Sequence, residues 1–357
     1  FGIPGAGVLI DRIGTRMLLV GGPGLVLIGA LVGGSTPWFW PILVATFVVG
    51  IGDSLWALGR EVAGIDLVRS DQRGRLLSGF HGMHSGALAI GPLIGGLLAD
   101  GIGFRATFFG FAAVTGVAVL LGAFAHDARP QPQPARSPNP DPPGRGLSGH
   151  LNSLLGLFKE IEPRLRVTYW VFVLATFAGF TFRITLQSVM PLYADAELGL
   201  TSTEIGALFS ISGGVVFAMI LPAGIILDKF GRKWATVPST FLPGVAFLLV
   251  PFADTFVQLV VLIGFMAAAN GLSLGSLAAS TYDVLPTHVR GRLQAFRRTA
   301  AEVGGVGAPL IGGLLINTVG PVAPFLAYAP ILLIGGFLLA FVAKETLVKN
   351  ESRGSLG

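Results

Sequence analysis

The sequence predicts an all-α membrane protein made of two pseudo-symmetric six-helix bundles, the first of them incomplete. Three observations predict it. The composition is 52% hydrophobic and only 12% charged, with a mean hydropathy of +0.74, where a soluble domain carries about a quarter charged residues. The apolar residues come in runs of about 18 or more, each long enough to cross a bilayer as a helix. The chain also repeats itself at one offset of 217 residues. GVLIDRIGTR at Gly7–Arg16 returns as GIILDKFGRK at Gly224–Lys233, RGRL at Arg73–Leu76 returns at Arg290–Leu293, PLIGGLL at Pro92–Leu98 returns at Pro309–Leu315, and Asp66 maps onto Asp283. Separate motifs keeping one register mark two copies of one unit arranged as a parallel repeat.

The elements follow in order. Phe1–Ile10 reads as the tail of a helix, and complete spans follow at Met17–Gly34, Pro41–Arg60, Leu76–Ala99 and Phe104–Ala125. The second copy supplies Val167–Tyr193, Ile205–Leu227, Ala235–Phe252, Phe256–Ser276, Phe296–Ile316 and Ala323–Ala343. The second copy has two spans before its GIILDKFGRK loop. By the repeat we therefore expect one more helix, within about 50 residues ahead of Phe1. On a twelve-helix count the chain opens in helix II. Residues 1–126 are then an N-terminal bundle of helices II (partial) to VI, and residues 166–345 a C-terminal bundle of helices VII to XII. Between them, 127–165 begins with seven prolines from Pro130 to Pro143, a composition that cannot form a core and reads as an extended linker. It ends in Leu151–Leu165, whose apolar residues fall mostly on one face and predict a short amphipathic surface helix. Residues 346–357 form a tail.

Charge placement gives the orientation. Of 24 Lys and Arg, 20 lie in the repeated loops, the linker and the tail, and only Arg105 lies in the opposite loops. The positive-inside rule places the linker and C-terminus in the cytoplasm, in a multi-pass protein of the plasma membrane. The same distribution makes the net charge of +5 a matter of membrane topology rather than nucleic-acid binding. The absence of cysteine excludes disulfides and thiolate chemistry. GLSLG at Gly271–Gly275 and GIGFRA at Gly101–Ala106 imitate enzyme motifs, but neither follows a strand as those motifs require.

The GVLIDRIGTR loop resembles the signature between helices II and III of the major facilitator superfamily, commonly G-x-L-x-D-R-x-G-x-R, and GIILDKFGRK resembles its echo between helices VIII and IX. Gly7 and Gly224 would allow close helix approach, and Gly14 and Gly231 a tight turn. Arg12, Arg16, Lys229 and Lys233 could reach carboxylates or carbonyls of neighbouring helix ends. Asp66 and Asp283 are the expected partners, with Asp11, Asp228, Arg73 and Arg290 in the same network. The resemblance implies that this network latches the cytoplasmic side in one conformational state. IGPLIGG in helix V is similar to the core of a motif of drug–proton antiporters. Ala87 stands where that motif has a further glycine, and Thr46 where such antiporters carry an arginine.

Polar groups at membrane depth are costly and therefore functional candidates. Asp53 in helix IV, its repeat partner Asn270 in helix X, and Arg183 with Gln187 in helix VII lie deep; the resemblance places those helices around a central cavity. Asp53 could bind a cation, exchange a proton or pair with Arg183. His81 and His84 in helix V and Glu302 in helix XI are shallower candidates. Arg297 and Arg298 can snorkel to the interface, and Glu302 can pair with Arg298 one turn away. The resemblance implies secondary active transport of a small organic solute by alternating access, with proton-coupled efflux expected. Uptake of a sugar or carboxylate, or a non-transporting sensor or decayed product, are the alternatives. The expected partners are the solute, protons and the bilayer, for a monomer with no enzymatic activity, cofactor or metal.

Overall fold

In a computed structural model the described residues are 15–67, 73–124, 158, 160–273, 276–286 and 289–345. They form helices α1 (Thr15–Ser35), α2 (Phe39–Leu67), α3 (Arg73–Gly101), α4 (Phe104–Ala123), α5 (Arg166–Ser188), α6 (Met190–Leu198), α7 (Ser202–Lys229), α8 (Arg232–Leu249), α9 (Phe256–Ser273), α10 (Ser276–Val284), α11 (Arg290–Thr318) and α12 (Ala323–Phe341). The chain divides into two compact units, 1–87 with 91–141, and 142–357 with 88–90. No strand occurs among the described residues, and nine of the helices are long and apolar enough to cross a membrane. All ten expected spans are helical over their described residues, apart from a break at Val189; helices III to VI are α1 to α4. Helix VII is α5 with α6, and helix X is α9 with α10. The proline-rich segment and the tail lie outside the described residues.

Two expectations need correction. The span Val167–Tyr193 is interrupted at Val189, because Pro191 lacks the N–H that would continue α5. The amphipathic helix expected over Leu151–Leu165 lies mostly outside the described residues, and its described end, 160–165, is turn and irregular backbone around Pro163. There Ile161 is buried, and Phe158 packs against Tyr169, Trp170 and Phe296.

The repeat holds in the packing. In the N-terminal unit α1 packs on α2 and α4; in the C-terminal unit the equivalents α8, α9 and α12 pack in the same pairs. The α1–α2 crossing is set by glycine. A Cβ on Gly22 would come within 2.7 Å of the Trp56 nitrogen, and one on Gly52 within 2.6 Å of the Gly22 carbonyl oxygen. Gly29 and Gly59 meet Ala45 and Leu18 as closely, so four glycines at heptad spacing bring the two backbones together. The positions 217 residues on are Ser239, Ala246, Ala269 and Ser276, all small and all buried. The helix ends repeat as well: Gly103 and Gly320 turn with φ of 117° and 136°, a region closed to most side chains.

Tyrosine hydroxyls tie the C-terminal unit. Tyr169 donates to the Leu293 carbonyl at 2.8 Å, Tyr193 to Val250 at 3.0 Å and Tyr328 to Ala308 at 2.8 Å. Each is buried, so the hydrogen bond removes a donor that would otherwise be unsatisfied.

Gly52→Val should cost at least the 1–3 kcal/mol typical of overpacking, roughly, because the obstacle is backbone. Thermal unfolding in detergent checks this. Gly50→Ala, with open space at its Cβ, should leave the midpoint near wild type.

Candidate functional site

Two groups of polar residues stand out. The first lies at the helix ends that carry the basic loops. In the N-terminal unit the Arg16 guanidinium donates to the Ala123 carbonyl at the end of α4, at 2.8 Å. In the C-terminal unit the Lys233 ammonium donates to the Ala340 carbonyl at the end of α12, at 3.0 Å. Donor and acceptor are each displaced by 217, so one contact is made twice. Cations satisfy the terminal carbonyls of a helix and complement its dipole there.

The C-terminal copy has more. Arg232 Nε lies 3.1 Å from Asp283 Oδ2, joining α8 to α10. The Glu345 carboxylate accepts from the backbone N–H of Arg232 at 3.0 Å and of Lys233 at 3.2 Å. It therefore caps the N-terminus of α8 from the end of α12, where an anion is favoured. Gly231 turns with φ 115°, and a Cβ there would meet Glu345 Oε2 at 3.0 Å. Arg290 donates to the Leu285 carbonyl at 3.2 Å and lies over the Tyr282 ring.

The expected network is thus redistributed. Asp283 pairs with Arg232, which the sequence reading left out, and Thr15 occupies the equivalent position in the first copy. The close helix approach expected of Gly224 is not made by any described residue: a Cβ there would meet none of them within 4 Å. The tight contact between α7 and α9 is made by Gly271, where a Cβ would run into the Met219 side chain. Lys229 is exposed and makes no polar contact with a described residue. Gly7, Asp11, Arg12 and Gly14, and the side chains of Asp66, Arg73 and Asp228, lie outside the described residues. Each described contact joins helices of the same unit.

The second group is a cavity of about 210 Å³ inside the C-terminal unit, lined by Thr176, Arg183, Ser239, Thr240, Asn270 and Arg297 among others. Arg183 Nη2 donates to Asn270 Oδ1 at 3.3 Å, and Ser273 Oγ shares that acceptor at 3.3 Å. Arg297 donates from Nη1 to Thr176 Oγ1 at 2.8 Å and from Nε to Gln294 Oε1 at 2.9 Å. At 1.5 Å per residue, Arg183 sits about 25 Å along α5 from Arg166, well inside the span.

Arg183 and Asn270 therefore meet, while Gln187, one turn later, is exposed. The sequence treated Arg297 and Arg298 alike, and the structure separates them. Arg298 is exposed and pairs loosely with Glu302 at 3.8 Å; Arg297 turns inward. The missed signal is Gly304, seven residues on. A Cβ there would lie 2.9 Å from the Phe177 carbonyl oxygen, so heptad spacing puts Arg297 on the same α5-facing stripe. Asp53, at the position equivalent to Asn270, is exposed, as is His84. The His81 side chain lies outside the described residues. No metal-binding cluster occurs among the described residues.

The family model of the Major Facilitator Superfamily matches residues 1–195 and 171–356. The multidrug resistance protein MdtG of Dickeya zeae (strain Ech586) is 26% identical over 338 residues, covering 93% of this chain and 78% of that protein. The class C tetracycline resistance protein of Escherichia coli is 25% identical over 324 residues, covering 86% and 74%. A crystal structure of a peptide transporter with bound sulfate superposes with a TM-score of 0.72 at 15% identity, over 94% of this chain and 81% of that one.

Glu345→Ala should remove the α8 cap, cost about 1 kcal/mol and lower the unfolding midpoint by a few degrees. Lys344→Ala, whose exposed side chain makes no described contact, is the control. Equal midpoints for the two variants would remove the cap from the account.

Proposed function

The chain belongs to the Major Facilitator Superfamily, and from that premise we propose that it is a secondary active exporter of small organic compounds, coupled to protons and working by alternating access. One observation carries the direction of transport: similarity to the named resistance proteins runs through both halves rather than through one conserved loop. The concentration of 20 of the 24 basic residues in the repeated loops, the linker and the tail supports a cytoplasmic position for them.

The bracing contacts support a mechanism in which each half moves as a body. Arg16 to Ala123 and Lys233 to Ala340 each join the helix after the signature loop to the last helix of the same half. Such ties hold a bundle together while it rocks about a midplane site. The described part of the signature network thus acts as an internal brace of each half.

Coupling needs a group that changes protonation as the cavity alternates. Asp53 is the carboxylate at the depth and repeat position suited to this, opposite in charge to what the C-terminal cavity offers.

The test is flux in proteoliposomes with tetracycline as the probe solute. An imposed proton gradient should drive its movement, and a protonophore should abolish it. Asp53→Asn should lose gradient-driven flux by about tenfold or more, as removal of a general proton carrier does, while solute exchange at equal pH persists. Flux indifferent to the protonophore would end proton coupling, and full gradient-driven flux in Asp53→Asn would move coupling to another group.

A further inference from the structure

We infer that the cavity of the C-terminal unit binds the anionic substituent of an organic solute, held between Arg183 and Arg297. This rests on the reading of the chain as a transporter, and it names the charge class of solute that reading leaves open.

The charges lining the cavity are unbalanced. Two guanidiniums line one cavity with Asn270, Thr176, Ser239 and Thr240, and no carboxylate lines it. Among the described residues neither arginine forms an ion pair; the described pairs are Arg232 with Asp283 and Arg298 with Glu302. The partners of Arg183 and Arg297 are an amide and a hydroxyl or amide, all neutral. A charge removed from water costs several kcal/mol, roughly, unless it is paired. Two like charges in one cavity raise that cost. An arginine cannot escape by losing its proton, so the missing counter-charge must come from elsewhere.

The donors are held ready for it. Arg183 and Arg297 commit only some of their N–H groups to protein acceptors, and the rest remain for a ligand. The Asn270 oxygen is occupied by Arg183 and Ser273, which leaves the amide NH2 to donate. The hydroxyl protons of Thr176, Ser239 and Thr240 go to the carbonyls of Phe172, Thr236 and Thr236, and the one proton of Ser273 is divided between the Asn270 carbonyl and Oδ1. With those protons committed, the donors open to an anion are the remaining N–H groups of Arg183 and Arg297 and the Asn270 amide. Phe180 and Leu277 add apolar wall for an organic body. Fixed forked donors, an apolar stretch of wall and no carboxylate among the lining residues suit a sulfonate, carboxylate or phosphate ester rather than a cation.

The test compares benzenesulfonate with benzenesulfonamide, which share a shape but not a charge. Binding is measured calorimetrically on the full chain in phosphatidylcholine nanodiscs, where no transport is needed. Benzenesulfonate should bind at least about tenfold more tightly than the sulfonamide. Arg183→Gln and Arg297→Gln should each erase that preference, and Arg297→Lys should keep part of it. The wild-type comparison stands even where a glutamine variant fails to fold. Equal affinity for the two probes would overturn the inference. So would loss of sulfonate binding when phosphatidylglycerol is added, which would assign the site to lipid headgroups. Charge-selective binding without any flux would refute the transport reading and leave the anion site standing; flux of tetracycline without charge-selective binding would do the reverse.

Discussion

Helices in a bilayer gain nothing by hiding apolar surface from one another, so their association rests on close van der Waals packing. In this protein that packing is made by small residues at heptad spacing. Gly22, Gly29, Gly52 and Gly59 bring α1 and α2 into backbone contact, and Ser239 and Ala246 in α8, Ala269 in α9 and Ser276 at the start of α10 occupy the same positions in the second copy. The substitution of serine for glycine at 239 keeps the crossing and adds a hydroxyl to the cavity wall. Asn270 follows Ala269 directly, so the crossing also fixes the acceptor that Arg183 reaches. One packing rule thus builds both bundles and positions one side of the polar site.

Charge does the complementary work at the membrane edge. The contact from Arg16 to Ala123 and that from Lys233 to Ala340 close each bundle from its third helix to its sixth. The second bundle adds the Arg232–Asp283 pair and the Glu345 cap. One contact is described in both copies, while the Arg232–Asp283 pair and the Glu345 cap are described in the second.

Much of this was legible in the sequence, and the remainder was hidden for physical reasons. Span length and the 217-residue register located all ten helices, because a bilayer forces long apolar runs and a duplication keeps its spacing. Depth alone identified Arg183 and Asn270, since polar groups there are rare. The interruption at Val189 was readable from Pro191 but was overridden by the apolar run around it. Arg297 and Arg298 differ only in helical phase, and phase becomes visible once Gly304 is seen to face α5. Glu345 was invisible because its role depends on the end of α12 meeting the start of α8, a proximity no local pattern records.

On the proposed function, each bundle moves as a body during transport. Because the chain has no cysteine, introduced pairs report alone in spin-label distance measurements. One pair, Ser35→Cys with Asp254→Cys, reports the ends opposite the basic loops. The other, Phe124→Cys with Arg292→Cys, reports the basic ends. Under a change of pH or added solute, the account predicts that one distance grows as the other shrinks. Distances that rise together, or that both stay fixed while flux proceeds, would contradict it.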